Sequence, residues 1–179
     1  MTAPLLFIGD SLIEFFDWQK RFPARKIFNC GIAGETAEGL LARLPDIIQQ
    51  VQSPGLVVIM TGINNVAMED YSFLFSYEKI ISRLQQAYKQ TVIVITSLLP
   101  VDLYFLGDAV PRINRRLKDL ALQSGTVYLD LYPLFIDRNS RVISSYYEPD
   151  GVHLSDAGYE IWSKTIEENV FPLLENEPR

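Results

Sequence analysis

The segment Leu5-Leu6-Phe7-Ile8-Gly9-Asp10-Ser11-Leu12 places a short aliphatic run directly before a glycine, an acid and a serine. Such a run, with no polar residue inside it, is typical of a β-strand that is covered on both faces. Comparable runs follow at residues 26–29, 56–60, 91–96 and 126–129. The sequence therefore predicts five short buried strands, the first at residues 5–8.

The segments between these runs have the period of helices. Apolar residues recur every three or four positions in residues 37–51, 77–88 and 110–121. Strands that alternate with helices indicate a sheet of parallel strands, in which each helix forms a right-handed crossover from one strand to the next. We therefore predict an α/β fold with a doubly wound parallel sheet of about five strands.

Two residues predict local features of these helices. Pro45 lies inside the first periodic segment and is expected to kink or split that helix. Ser155 is suited to cap a last helix that turns Ile161, Trp162 and Ile166 inward.

The composition excludes several classes of function. The chain has 179 residues, a net charge of −6, one histidine and one cysteine. Its 16 Lys and Arg residues against 22 Asp and Glu residues do not provide the basic surface that nucleic acids require, so no nucleic-acid partner is expected. One His and one Cys cannot form the usual zinc or iron sites, and we predict no metal.

Length and hydropathy indicate the organisation of the chain. We expect one domain over residues 1–174 and a polar tail over residues 175–179. The first eleven residues have no basic segment before their short apolar run, so they are expected to form a strand and not a signal peptide. No apolar run is long enough for a transmembrane segment, and we expect a cytoplasmic protein.

Polar and small residues follow the predicted strands. Ser11 comes after the first strand, Gly34 after the second and Asn64 after the third, and Asp150 and His153 follow the fifth strand and a loop. Ligands of open α/β sheets bind beyond the carboxyl ends of the strands. These segments are therefore expected to meet at one edge of the sheet.

The side chains at this edge suit acyl transfer. Ser11 is the candidate nucleophile, His153 is the one histidine available as its base, and Asp150 lies close enough in sequence to orient the imidazole. The backbone N–H groups of Ser11 and Gly34 and the amide of Asn64 are the candidate donors to an oxyanion. Glycine suits position 34 because it allows a close backbone approach to the reacting centre.

These segments also carry a family resemblance. Phe7-Ile8-Gly9-Asp10-Ser11-Leu12 resembles the first block of the GDSL, or SGNH, hydrolase superfamily, and the later segments resemble its remaining blocks in the same order, up to position 159. The resemblance implies Ser11 as nucleophile, Gly34 and Asn64 as oxyanion donors, and Asp150 with His153 as the rest of a triad. It also implies a flavodoxin-like three-layer α/β/α sandwich, no cofactor, and hydrolysis of esters or thioesters.

Two positions depart from the common family pattern. Gly62-Ile63-Asn64-Asn65 is closer to the Gly-x-Asn-Asn variant of the platelet-activating-factor acetylhydrolase-like branch than to the commoner Gly-x-Asn-Asp. Ile13 replaces the usual Thr or Ser after the first block, and is expected to make that side of the site more apolar.

Each residue of the motif also has a structural interpretation when taken alone. Ser11 or Asp10 could cap a helix, Gly34 could serve a turn, and His153 with Asp150 could belong to a solvated loop. Their joint occurrence at strand ends favours the catalytic interpretation. The absence of Gly-x-Ser-x-Gly, Gly-x-Gly-x-x-Gly and Walker A motifs argues against an α/β-hydrolase elbow and against nucleotide sites.

The substrate is less defined by the sequence. Apolar loops after the third and fourth strands suggest an acyl or lipid pocket, although the same side chains could pack on a helix or at a contact in a homo-oligomer. The predicted pocket residues are Ile13, Asn65, Tyr71, Phe73, Tyr104 and Phe105.

The favoured function is a serine esterase for short-acyl or lysolipid-like esters. A carbohydrate O-acetylesterase, an acyltransferase with the same site, and a non-catalytic binding module are the alternatives. The expected partner is therefore a small-molecule acyl ester.

Overall fold

The computed structural model describes residues 3–101 and 107–175, and it contains one parallel sheet. Five strands lie in the order β2-β1-β3-β4-β5, and every pair is parallel. This order is the flavodoxin-like one, in which the chain winds in both directions from β1. The strands are β1 (Leu5–Gly9), β2 (Ile27–Gly31), β3 (Leu56–Met60), β4 (Val92–Thr96) and β5 (Val127–Leu129). The predicted fold and number of strands are confirmed.

Helices cover both faces of the sheet. They are α1 (Ser11–Glu14), α2 (Trp18–Arg21), α3 (Ala37–Gln50), α4 (Ile63–Ala67), α5 (Phe73–Ala87), α6 (Ala109–Ser124), α7 (Asp156–Asn169) and α8 (Phe171–Glu175). Two short 3-10 helices, Tyr132–Leu134 and Ser144–Tyr146, lie between β5 and α7. The first residue of the predicted tail, Glu175, is the last residue of α8. Residues 176–179 lie outside the described part of the chain.

The alternation of side chains along β1 explains why the strand is apolar throughout. Leu6 and Ile8 pack in a core with α3, α5 and α6, whereas Leu5 and Phe7 pack in a second core with α2 and α7. Side chains of a strand point alternately to opposite faces, so a sheet with two cores requires apolar residues at successive positions.

Pro45 does not split α3, so that part of the prediction is wrong. The helix runs unbroken from Ala37 to Gln50 with Pro45 inside it. Proline has no N–H for the carbonyl of the residue four positions earlier. That carbonyl, at Leu41, accepts a hydrogen bond from Arg83 Nη1 of α5 at 3.2 Å. A neighbouring helix therefore supplies the donor that the proline lacks.

The last long helix begins as predicted and holds α1. Ser155 caps α7 and accepts from the N–H of Gly158. Trp162 and Ile166 are fully buried, and Ile161 is partly buried against the same core. From α7, the hydroxyl of Tyr159 donates to the carbonyl of Leu12 at 3.0 Å. The helix that begins with Ser11 is thereby fixed to the core.

Candidate active site

Ser11 is the first residue of α1, and one residue, Asp10, separates it from the end of β1. The turn is tight because Gly9 lies against β3: a Cβ at position 9 would collide with the carbonyl oxygen of Met60. Asp10, and not Ser11, is the N-cap, since its Oδ1 accepts from the N–H of Leu12 at 3.1 Å. The Ser11 hydroxyl is therefore not used as a helix cap.

Asp150, His153 and Ser11 form a chain of hydrogen bonds. His153 Nδ1 lies 2.6 Å from Asp150 Oδ2, and His153 Nε2 lies 3.1 Å from Ser11 Oγ. A carboxylate only accepts, so Nδ1 carries the proton in the neutral imidazole and Nε2 can accept from the serine hydroxyl. The geometry allows His153 to remove the proton of Ser11.

The loop itself orients the carboxylate. Asp150 Oδ1 accepts from the backbone N–H groups of Val152 and His153, both at 2.9 Å. The hydrogen bond from His153, followed by these two N–H groups, lowers the pKa of Asp150 to about 2. Asp150 is therefore ionised at neutral pH and holds the imidazole in one orientation.

The strand order places the candidate oxyanion donors on the two sides of Ser11. Gly34 follows β2, and Asn64 lies in the first turn of α4 after β3, while β1 lies between these strands. Asn64 Nδ2 donates to the carbonyl of Glu35 at 2.9 Å, and an amide nitrogen carries a second N–H. One donor of Asn64 is thus used to fix the side chain.

Backbone conformation, and not packing, explains the glycine at position 34. Gly34 is exposed with φ +74°, and a Cβ would meet no atom of the described residues within 4 Å. The preceding N–H, of Ala33, donates to Glu14 Oε2 at 2.6 Å. Within the described residues no hydrogen bond uses the N–H of Gly34. The left-handed φ, which glycine adopts without strain, is the requirement.

Asp10 is a buried carboxyl group behind the nucleophile. It is 0% exposed, and its Oδ2 has no hydrogen-bond partner among the described residues. Burial raises the pKa of Asp10 to about 7, with a smaller contribution from the charge of Glu35, whereas the N–H of Leu12 and His153 oppose the change. The neutral form of Asp10 is therefore favoured in the folded protein below about pH 7.

Asp10 is expected to make the protein less stable as the pH rises. A folded-state pKa near 7 against an ordinary value of 3.8 means that the folded state binds the proton more tightly. The stabilisation is complete below about pH 4 and is lost as the pH rises to about 7, with a total of roughly 4 kcal/mol. The Asp10→Asn variant keeps the cap and should flatten this decline. Denaturant unfolding between pH 4 and 8 measures the effect.

An exposed helix cap provides the matched control for Asp10. Asp17 caps α2 through a hydrogen bond from the N–H of Lys20, and its side chain is exposed to solvent. Asp17→Asn therefore makes the same substitution in a helix cap without altering a buried carboxyl group. Asp17→Asn should keep the wild-type decline. An equal decline in the wild type and in Asp10→Asn would contradict the assignment to Asp10.

The structure brings few of the predicted pocket residues to the surface. Ile13 and Phe73 are fully buried in the two cores. Asn65 is also buried. Its Oδ1 accepts from the N–H of Ala37, and its Nδ2 donates to the carboxylates of Glu38 and Asp70. The prediction that these three line the pocket is corrected, because packing and hydrogen bonds occupy them inside the protein.

The other three pocket residues have different outcomes. Tyr71 is 37% exposed and remains a candidate contact for substrate. Tyr104 and Phe105 lie outside the described residues.

Phe15 lies beside the site but is not among the residues predicted from the sequence. Its side chain is 57% exposed, and its ring centroid lies 5.2 Å from that of His153. Residues four apart lie on one face of a helix. The spacing of Phe15, one turn after Ser11, is therefore the feature of the sequence that indicates its place beside the site. Phe15 therefore adds an apolar surface beside the imidazole.

The described residues contain neither a metal cluster nor a spanning helix. In residues 3–101 and 107–175, no group of three or more His, Cys, Asp or Glu side chains is placed to hold a metal ion. Over the same ranges, no helix has both the length and the apolar character needed to cross a bilayer.

Comparisons with known proteins identify a family and several similar structures. Residues 7–161 match the GDSL-like Lipase/Acylhydrolase family. The chain is 26% identical to the human platelet-activating factor acetylhydrolase IB subunit alpha2 over 181 residues, covering 97% of this chain and 79% of that protein. A solved structure from Streptococcus pneumonia, provisionally named a platelet activating factor, has 26% identity and a TM-score of 0.85, covering 96% of this chain and 85% of that chain. An acetylxylan esterase from Geobacillus stearothermophilus has the same fold, with 24% identity, a TM-score of 0.72 and 94% coverage of each chain.

Proposed function

Because the chain belongs to the GDSL-like Lipase/Acylhydrolase family, it is a hydrolase that acts on esters, and we propose that it is a serine esterase whose nucleophile is Ser11. The observation that carries this proposal is the hydrogen-bonded chain from Asp150 through His153 to Ser11, with distances of 2.6 and 3.1 Å. A nucleophile, a base and an orienting acid in this order are the groups that acyl transfer requires.

In the first half of the reaction, His153 Nε2 accepts the proton of Ser11 while Oγ attacks the ester carbonyl carbon. The carbonyl oxygen becomes an oxyanion, which the N–H groups of Ser11 and Gly34 and the amide of Asn64 stabilise. Asp150 stabilises the imidazolium. The tetrahedral intermediate then breaks its bond to the alcohol oxygen, which takes the proton from His153 and leaves an acyl group on Ser11.

In the second half, water replaces the alcohol. His153 accepts a proton from water as the water oxygen attacks the acyl carbon, and the second tetrahedral intermediate expels Ser11 Oγ, which regains the proton. The products are the carboxylic acid and free enzyme. An acyltransferase would differ only in using a second alcohol at this step.

Esters of short acyl groups on a lysolipid-like alcohol are the proposed substrates. The human relative that matches 97% of this chain is named a platelet-activating factor acetylhydrolase subunit, and this name supports an acetyl ester as substrate. Phe15 and Ile32, which are 57% and 46% exposed, flank the segments that carry Ser11 and Gly34 and could contact an apolar alcohol. A carbohydrate O-acetylesterase is the second candidate, because exposed rings such as Phe15 and Tyr71 also stack on sugars.

Labelling with a fluorophosphonate tests the catalytic proposal. The probe bonds covalently to an activated serine hydroxyl, so we expect one label per chain at Ser11 and none in Ser11→Ala. Ser82, which is exposed on α5, is the control, and Ser82→Ala should label as the wild type does. An unlabelled wild-type protein would favour the non-catalytic binding module.

A panel of esters then separates the substrate candidates. It contains acyl chains from acetyl upward, sugar acetates and lysolipids, with products analysed in the presence and absence of added alcohols. Faster turnover of sugar acetates would favour the carbohydrate esterase, and acyl transfer to the added alcohol would favour the acyltransferase.

A further inference from the structure

A partly buried ion pair joins Glu35, the residue after Gly34, to α3. Arg43 of α3 donates to Glu35 through two parallel bonds, Nε to Oε1 at 2.5 Å and Nη2 to Oε2 at 2.6 Å. The side chain of Glu35 is 8% exposed and that of Arg43 is 21% exposed. A two-bond arrangement of this kind fixes orientation as well as distance.

Arg43 also holds the other end of the same segment. Its Nη2 donates to the carbonyl of Cys30 in β2 at 2.7 Å. The N–H of Glu35 donates to the carbonyl of Ile32 at 3.1 Å, which closes the turn that contains Gly34. One guanidinium thus joins the strand before Gly34 to the residue after it.

The backbone of Glu35 connects this arrangement to the second candidate donor. Its carbonyl accepts the hydrogen bond from Asn64 Nδ2 at 2.9 Å. Glu35 is therefore bonded in the chain to Gly34 and hydrogen-bonded to Asn64, so it contacts both candidate donors.

We propose that Glu35 and Arg43 are positioning residues that hold the two oxyanion donors, Gly34 and Asn64, in place for catalysis. This inference rests on the proposed esterase function. Gly34 is exposed and makes no hydrogen bond through its N–H within the described residues, so its own contacts do not fix it. Oxyanion donors act only when they are held in place before the reaction.

A second Arg–Glu pair provides a control for the arginine substitution, although its glutamate, Glu167, is 50% exposed against 8% for Glu35. Arg21 of α2 donates through Nη2 to Glu167 at 2.8 Å and through Nε to Ser163 at 2.9 Å. Its side chain is 22% exposed, close to the 21% of Arg43. This pair joins α2 to α7 and touches neither Gly34 nor Asn64, so it reports what losing an Arg–Glu pair does to the fold alone.

The kinetic test uses Glu35→Gln, Arg43→Lys and Arg21→Lys, each alone and combined with Asn64→Ala. We expect Asn64→Ala to lower kcat about 100-fold, as loss of an oxyanion donor does. Glu35→Gln and Arg43→Lys should each lower kcat about 10-fold or more with little change in KM, because misplaced donors affect the transition state more than binding. Arg21→Lys should change kcat by less than about twofold.

Combination with Asn64→Ala separates positioning from general destabilisation. Glu35→Gln or Arg43→Lys should lower kcat much less when Asn64 is already alanine. The fold-loss in that background should be at most about one third of the fold-loss in the wild-type background, because the effects of residues that act through one another are not additive. An equal loss in both backgrounds, or an unchanged kcat in both single variants, would overturn the proposal. Thermal melting of each variant identifies any that is unfolded, and the conservative Glu35→Gln keeps the test open if Arg43→Lys does not fold.

A measurement without substrate separates this inference from the proposed function. The NMR signals of the Asn64 side-chain amide and of the Gly34 N–H should shift in Glu35→Gln and Arg43→Lys, and stay unchanged in Arg21→Lys. Unshifted signals would overturn the positioning role even in an active esterase. A wild-type protein that hydrolyses no ester would overturn the proposed function, whatever the signals do.

Discussion

Replacing Ser11 with alanine is expected to lower the hydrolysis of p-nitrophenyl acetate by about 10⁵-fold or more, because it removes the atom that attacks the carbonyl. Ser11 Oγ is the group that His153 Nε2 reaches at 3.1 Å. The fold should remain intact because Asp10, and not Ser11, caps α1. Steady-state kinetics with circular dichroism and thermal melting check both parts.

The control for this variant is Ser82→Ala, which removes a hydroxyl from the exposed face of α5. It should retain the wild-type rate. A folded Ser11→Ala protein with near-normal turnover would exclude Ser11 as the nucleophile, and with it the mechanism proposed above.

His153→Ala should have the second largest effect, a loss of about 10⁴-fold or more in kcat. The chain has one histidine, so no second imidazole can take over as base. The residual rate should then rise with pH in proportion to hydroxide. The side chain of His153 is 33% exposed, and added imidazole should therefore restore part of the rate.

His153→Gln and Ser11→Ala are the controls for the role of the imidazole. Glutamine keeps a donor for Asp150 but cannot act as a base, so it should be as inactive as alanine. Imidazole should not restore Ser11→Ala. Retention of most of the activity by His153→Gln would show that the residue serves only to hold the loop.

Two carboxyl groups of the site have altered pKa values, and one of them is expected to change the wild-type rate near neutrality. Asp150, with a pKa of about 2, stays ionised across the range of the assay and cannot produce a change near neutrality. Asp10, with a pKa raised to about 7 by burial, can. Comparison of the rate profile of Asp10→Asn with that of the wild type measures how much of the change near neutrality Asp10 contributes.

The local features of the fold could be predicted where one short segment carries the information. The β3 run Leu56–Met60 was predicted with its exact bounds, and the cap at Ser155 was predicted correctly. These features depend on burial and on hydrogen bonds within a few residues. The continuity of α3 at Pro45 could not be predicted, because the donor to Leu41 comes from Arg83, 42 positions along the chain.

The residues of the substrate pocket also could not be predicted from local sequence. Asn65 and Phe73 follow β3, where the sequence predicts pocket residues, yet both are buried. Phe15, whose ring lies beside the imidazole of His153, is not among the predicted pocket residues. An apolar or amide side chain serves the interior as well as a site, and only the packing of neighbouring segments decides which.

The sequence by itself determined which chemical groups are present, their order and their place after each strand, including one possible imidazole base. The tertiary structure decided which of them meet. The order β2-β1-β3 puts the segments of Gly34 and Asn64 on either side of Ser11, and the fold brings His153 to Ser11 across 142 positions of sequence. It also paired Glu35 with Arg43 and directed Asn64 to the Glu35 carbonyl. Periodicity and local caps are set by neighbouring residues, whereas hydrogen bonds between distant segments exist only once the two cores have packed on the sheet.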